Sequence, residues 1–436
     1  MIRAIKRAAI AASNFTVPFY TSRAIAIIAL TARLSGQTAL TWEQVRSKFE
    51  ASNPTLKAAQ LSIDESRAEE ITQYLRPNPD FTLSADGLQI SKNNGVWRPL
   101  NGVVETPSFS YLHERKNKRE LRLETQKWST DIAASAYFDQ KRTLIFNLRS
   151  AFVQTLQAKA VLDIARENLA YWNRELGVNR LRFTAGGLAQ LDLNRLELQR
   201  AQFDQDLETA YVNLRTAKIQ LLMLLNDRTP IENFEISGSF DFTEEMRPLG
   251  EFRKVALETR PDLKEAAQNI SLAKANHELA IANGSTDPTF SIWYSHNPSF
   301  SNPYANETMG GSVSIPLRIF DRNQGEKART QLDIGRNERL RDAAEAQVFS
   351  DVDSAYWTIV QNLNLLKPYR TKYLPLAIDV RDRMSFSYQN GGASLLDFLD
   401  AEKSYRDTRL AYLNLIGSYL TAGAQMNQAV GREVIQ

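Results

Sequence analysis

Tyr388-Gln389-Asn390-Gly391-Gly392-Ala393-Ser394-Leu395-Leu396-Asp397-Phe398-Leu399-Asp400-Ala401-Glu402 is the stretch on which the fold turns. Its Gly-Gly pair, followed by Leu396-Asp397 and Glu402, already occurs earlier in the chain as Gly186-Gly187 followed by Leu191-Asp192 and Glu197. Working outward, further pairs come in the same order: Asn53-Pro54-Thr55-Leu56-Lys57 with Arg260-Pro261-Asp262-Leu263-Lys264, Pro79-Asp80-Phe81 with Pro288-Thr289-Phe290, and Val104 to Pro107 with Val313 to Pro316. All lie roughly 205 to 209 residues apart, and self-similarity at one long spacing means two copies of one structural unit. Each repeat therefore reads as helix, two strands, very long helix, Gly-Gly reversal and return helix.

The helices are rods. Residues 117–179 contain no proline, and at 1.5 Å per residue such a helix runs roughly 90 Å. Apolar or small residues recur in strict 4,3 spacing at Leu144, Leu148, Ala151, Thr155, Ala158, Leu162, Ala165, Leu169, Trp172 and Leu176, a coiled-coil seam. The second repeat offers Ile359, Leu363, Leu366, Arg370, Tyr373, Ala377, Val380 and Met384, with Pro368 and Pro375 predicted to bend the rod. The two Gly-Gly pairs free the backbone for a reversal. The pattern predicts long helices over about 117–180 and 325–389 and return helices over about 190–226 and 394–430. The repeats span 40–226 and 251–431, joined by a connector at 227–250 that holds Pro230, Gly238 and Pro248.

Four strands are expected, at about 79–90, 103–113, 287–296 and 308–320. Phe81, Leu83 and Ala85 alternate with Thr82, Ser84 and Asp86; Phe109 and Tyr111 with Ser108 and Ser110; Phe290, Ile292 and Tyr294 with Thr289 and Ser291; Val313, Ile315 and Leu317 with Ser312 and Ser314. One apolar and one polar face fits a lipid-facing barrel with a wet lumen, and equally a half-buried soluble sheet. The links 91–102 and 297–311 are rich in Asn, Ser, Gly and Pro, as exposed loops are.

Composition narrows the function classes. Net charge is +3, from 53 Lys and Arg against 50 Asp and Glu, so no single-sign field draws the chain to nucleic acid. The basic cluster His113 to Arg122 has no interleaved aromatics and reads as interfacial or solvated charge. Cysteine is absent, and His113, His277 and His296 have no metal-ligand spacing. No phosphate-binding loop, nucleophile elbow or metal set is present, so neither catalytic residues, a cofactor nor a metal is expected. Arg3, Lys6 and Arg7 precede an apolar run from Ala24 to Ala32, which suits a secretory leader over residues 1–39. No run of 18 apolar residues follows, so any membrane passage falls to a closed β-barrel.

Leu40-Thr41-Trp42-Glu43 running into Asn53-Pro54, Arg76-Pro77-Asn78-Pro79, Arg260-Pro261-Asp262-Leu263 and the stretch Tyr388 to Glu402 together resemble the outer-membrane factor family of TolC-like efflux proteins, over about residues 40–431. The resemblance implies a mainly α fold with a β-barrel portion. In it a homotrimer pools four strands per subunit into one outer-membrane barrel, continued by a periplasmic α-helical coiled-coil barrel. It implies a passive conduit for small molecules, metal ions or proteins, in the outer membrane and reaching into the periplasm. Its partners would be a periplasmic adaptor, an inner-membrane pump of the RND or ABC type and outer-membrane lipid. Asp397 and Asp400 match the family's acidic ring at the channel entrance, and Asp192 and Tyr388 match positions that hold the entrance closed. Gly186, Gly187, Leu188, Gly391, Gly392 and Ala393 match the hairpin tips that meet the adaptor. The best-known family member has a basic residue where Ala393 stands, which leaves the closing network here altered or dependent on another cation. A periplasmic or cytosolic coiled-coil scaffold with a small soluble sheet is the alternative from a different class.

Overall fold

The computed structural model describes residues 39–297 and 306–435, so all but the last residue of the expected leader lies outside the described residues. Helix α1 (Trp42–Ser52) hands over to α2 (Pro54–Tyr74) through Asn53, whose side chain accepts from Leu56 N at 3.0 Å while Pro54 opens the new helix. This junction is an N-cap followed by proline at the first helical position. The second repeat makes the same joint between α5 (Leu249–Thr259) and α6 (Pro261–Asn283) with different chemistry. There the buried Arg260 guanidinium binds Asp262 at 2.5 Å and Asp351 at 2.8 Å.

Strands β1 (Asp80–Asp86), β2 (Val104–Leu112), β3 (Thr289–His296) and β4 (Glu307–Ser314) form one antiparallel sheet in that order. The register sets apolar beside apolar: Phe81 opposite Phe109, Phe109 opposite Ile292, Phe290 opposite Tyr111 and Val313. Polar residues fill the other face, with Thr82 opposite Ser108 and Ser291 opposite Ser110 and Ser312. Nothing in the described chain covers the apolar face, since Phe81, Phe109, Phe290, Ile292 and Val313 remain between 47% and 62% exposed. A soluble half-buried sheet would hide those side chains.

The strands are shorter than the alternation predicted. β1 stops at Asp86 because Gly87 takes a φ of +85°, and β4 stops at Ser314 because Pro316 has no N–H to continue the ladder. Ile315 and Leu317 thus lie beyond the strand. Gly310 and Gly311, where the expected strand at 308–320 and the expected loop at 297–311 overlap, belong to β4. A Cβ on Gly310 would come within 2.5 Å of the Trp293 ring, so the glycine admits the indole.

Helix α3 (Lys118–Thr184) is unbroken for 67 residues, roughly 100 Å. Its seam is real: Leu148, Ala151, Thr155, Leu162, Ala165, Trp172 and Leu176 are all buried. Helix α4 (Gln190–Leu224) returns along it. In the second repeat α7 (Gln324–Pro368) passes into a π-helical turn (Tyr369–Tyr373) and then α8 (Leu374–Gln389), with α9 (Leu395–Val430) returning. The seam buries Ile359, Leu363 and Leu366 and then fails. Arg370, Tyr373 and Val380 are exposed, because the wide turn at Pro368 shifts the helical phase. Arg370 instead pairs with Asp241 at 2.6 Å and lies 4.3 Å over the Phe242 ring.

The connector is irregular apart from a 3-10 turn (Ile231–Asn233) and a bridge between Leu40 and Ile236. It packs Phe234 and Ile236 into a cluster with Val45, Phe49, Leu148 and Leu221. The basic cluster after β2 is tied down internally: Lys118 binds Asp287 at 2.5 Å, and the Arg122 guanidinium grips Glu114. Among the described residues no helix is long and apolar enough to cross a membrane.

Candidate functional site at the hairpin tips

Both Gly-Gly turns adopt one geometry. Gly186 and Gly391 take φ of +78° and +79°, which a side chain tolerates poorly. Gly187 N donates to Arg182 O at 2.8 Å, and Gly392 N donates to Ser387 O at 2.8 Å. These bonds satisfy carbonyls that would otherwise be left open at the end of each outgoing helix. The four glycines are exposed, whereas Leu188 and Ala393 fold inward against the apolar cluster behind the tips. That cluster joins the hairpins. Trp172 stacks on Phe203 at 5.1 Å and tilts against Phe398 at 5.9 Å, and Phe398 stacks on Tyr388 at 4.9 Å.

Asp397 and Asp400 both lie exposed in the opening turns of α9. Asp397 is the third residue of a capping box: Ser394 Oγ donates to its carboxylate at 2.7 Å, and Asp397 N donates back to Ser394 Oγ at 3.2 Å. The Asp400 carboxylate has neither a hydrogen bond nor an ion pair among the described residues. Asp192, in the first turn of α4, pairs with Arg195 at 3.6 Å.

The phenol of Tyr388 does not donate to Asp192, the carboxylate expected from the sequence. It donates to Asn179 Oδ1 at 3.0 Å, in a buried contact between the rods. Asn179 continues the 4,3 seam one step beyond Leu176, so a polar residue at a seam position was the signal that sequence reasoning passed over. Burial pushes the Tyr388 hydroxyl pKa up against the opposing pull of Arg182, and Asp192 and Glu175 raise it further. Arg182 holds its guanidinium 5.3 Å from the Tyr388 ring centroid, a cation beside the turn that Ala393 leaves without one. Glu175 and Glu402, also buried here, were missed as site residues: nothing in a single sequence marks a charged helix position as covered.

Among the described residues no group of three or more His, Cys, Asp or Glu is arranged to hold a metal ion. The arrangement offers instead exposed carboxylates at the opening of a hairpin and a buried polar contact between two rods.

The chain matches the Outer membrane efflux protein family over residues 45–227 and 253–432, one segment in each repeat. It is similar to the cobalt-zinc-cadmium resistance protein CzcC of Cupriavidus metallidurans, 22% identical over 90% of this chain and 90% of that one. It is also similar to the outer membrane protein TolC of Escherichia coli, 24% identical over 89% of this chain and 81% of that one. Among solved structures, CusC superposes with a TM-score of 0.76 at 19% identity, over 89% of this chain and 92% of that chain. Both repeats, the shared fold and the uncovered apolar sheet face set the soluble scaffold aside: the chain belongs to the outer membrane efflux protein family, a family of channels rather than enzymes, located in the outer membrane and extending into the periplasm.

Proposed function

We propose that three copies of this chain pool their sheets into one closed barrel and their rods into one tunnel. The trimer then serves as the passive outer-membrane conduit of a tripartite efflux or export system. One observation carries the reading: four strands in register present a continuous apolar face that the described residues leave bare, and among them β1 and β4 both end the sheet as open edges. Edges demand partners, and four strands are too few to close around a lumen. Neighbouring copies supply both, and lipid covers the apolar face.

An inner-membrane pump drives transport, coupled through a periplasmic adaptor that meets Gly186, Gly187, Leu188, Gly391, Gly392 and Ala393. Three-fold symmetry brings Asp397 and Asp400 into rings at the entrance, where they favour cations. Tyr388 and Asp192 flank the turns and hold the entrance narrow, with Arg182 as the cation of that network. The cargo is a small molecule, a metal ion or a protein. Currents across planar bilayers test the reading: the purified protein forms channels blocked by divalent cations, and Asp397→Asn with Asp400→Asn removes the block. Unchanged block refutes the ring. Charged replacements at Phe290 and Ile292 prevent outer-membrane assembly, and normal insertion of both refutes the lipid face.

A further inference from the structure

Behind the tips, Glu175 on α3 and Glu402 on α9 lie where the hairpins press together, 8% and 7% exposed. A carboxylate so deeply placed is ordinarily paired or fully hydrogen-bonded. Here Glu175 Oε2 has no hydrogen-bond partner, and the polar group set against Glu402 is the buried Tyr171 hydroxyl, with Ser385 of α8 beside it.

The charges around the pair do not neutralise it. From α3 come Tyr171 and Arg174, and from α8 come Arg381, Asp382 and the Gln389 amide, which donates to Glu175 Oε1 at 3.4 Å. Arg381 is the cation that acts on Glu402, but it is already engaged by Asp382 at 2.6 Å and by the Tyr405 ring at 4.1 Å. On the tip side stand Tyr388 and Arg182. α4 brings Leu196 and Phe203, together with Asp206, which Arg406 of α9 holds at 3.6 Å. Burial raises the pKa of both carboxyls, and Glu175 adds to the rise at Glu402. The first repeat has no equivalent: Glu197, at the position matching Glu402, is exposed and pairs with Arg180 at 2.8 Å.

We propose that Glu175 and Glu402 form a proton-binding site that latches the second hairpin onto the first. With a proton on the pair the contact is closed, and with both carboxylates ionised their repulsion pushes α8 and α9 away from α3. Because both groups bind protons more tightly in the packed state, the latch is firm at low pH and weakens as pH rises through their raised pKa values. Its role at the entrance rests on the conduit reading above.

The test measures single-channel current in planar bilayers as pH is raised, in the Asp397→Asn/Asp400→Asn background so that the exposed ring does not contribute. Current increases with pH in that background. Glu402→Gln and Glu175→Gln each abolish the increase and hold current at its low-pH level, because either leaves one carboxylate with no like charge to repel; Glu402→Asp keeps the response. Current independent of pH, or a response that either glutamine variant leaves unchanged, overturns the latch while the conduit stands. No current at any pH overturns the conduit, and the latch with it.

Discussion

The two hairpins share a turn and differ in nearly everything behind it. In the first, α3 runs unbroken to Thr184, the matching glutamate is a surface ion pair with Arg180, and Ala189 precedes α4 without offering a side-chain cap. In the second, the rod is split by a π-helical turn, Ser394 caps α9, and both Tyr388 and Glu402 are buried. At the repeat spacing Phe183 matches Tyr388, Leu193 matches Phe398 and Ala189 matches Ser394. The first hairpin is therefore held by generic burial, and the second by polar contacts that depend on geometry and protonation. Duplication preserved the reversal and left the second copy to carry the conditional interactions.

That asymmetry is open to measurement. Phe398→Ala should cost about 3–5 kcal/mol in thermal unfolding of the detergent-solubilised protein, because the ring is fully buried between Trp172 and Tyr388. Leu193→Ala should cost less, about 2–3 kcal/mol, and equal losses would break the comparison. Tyr388→Phe strands Asn179 and should cost about 1–2 kcal/mol while raising resting channel current. Phe183→Tyr, at the half-buried match, should stay within about 0.5 kcal/mol.

Ser394→Ala removes the cap and should lose about 1 kcal/mol, whereas Ala189→Ser should gain several tenths of that by supplying the missing one. Melting curves of the pair would sharpen the contrast directly. The smallest effect is expected at Glu197→Gln, within about 0.5 kcal/mol, since the pair it breaks is exposed. Its counterpart Glu402→Gln should instead flatten the pH profile of stability. The folded-state pKa of Glu402 is raised, so its contribution is present at low pH and lost as pH rises, and the amide cannot ionise.

How legible the site was depended on the range of the interaction. The Gly-Gly reversals and the place of Asp397 and Asp400 in the opening turns of a helix follow from residues within a few positions of one another. The sequence sets Tyr388 beside Asp192, whereas the partner its hydroxyl meets, Asn179, lies 209 residues away and nothing local points to it. The second seam reads on through Arg370 and Tyr373 because heptad arithmetic assumes 3.5 residues per turn throughout; Pro368 and Pro375 signal a bend there, but not the π-helical turn that shifts the phase.

By itself the sequence determined the duplication, the rods, the strand alternation and the place of each reversal. These are local properties, set by side-chain period, proline position and the backbone freedom of glycine. Only the tertiary structure decided that the apolar rows align across four strands from both repeats, that Tyr388 bonds Asn179, and that Glu175 and Glu402 are shut away together. Register between strands and burial of a charge are settled by which distant segments meet, and that choice is made by the packing of the whole chain rather than by any residue's neighbours in sequence.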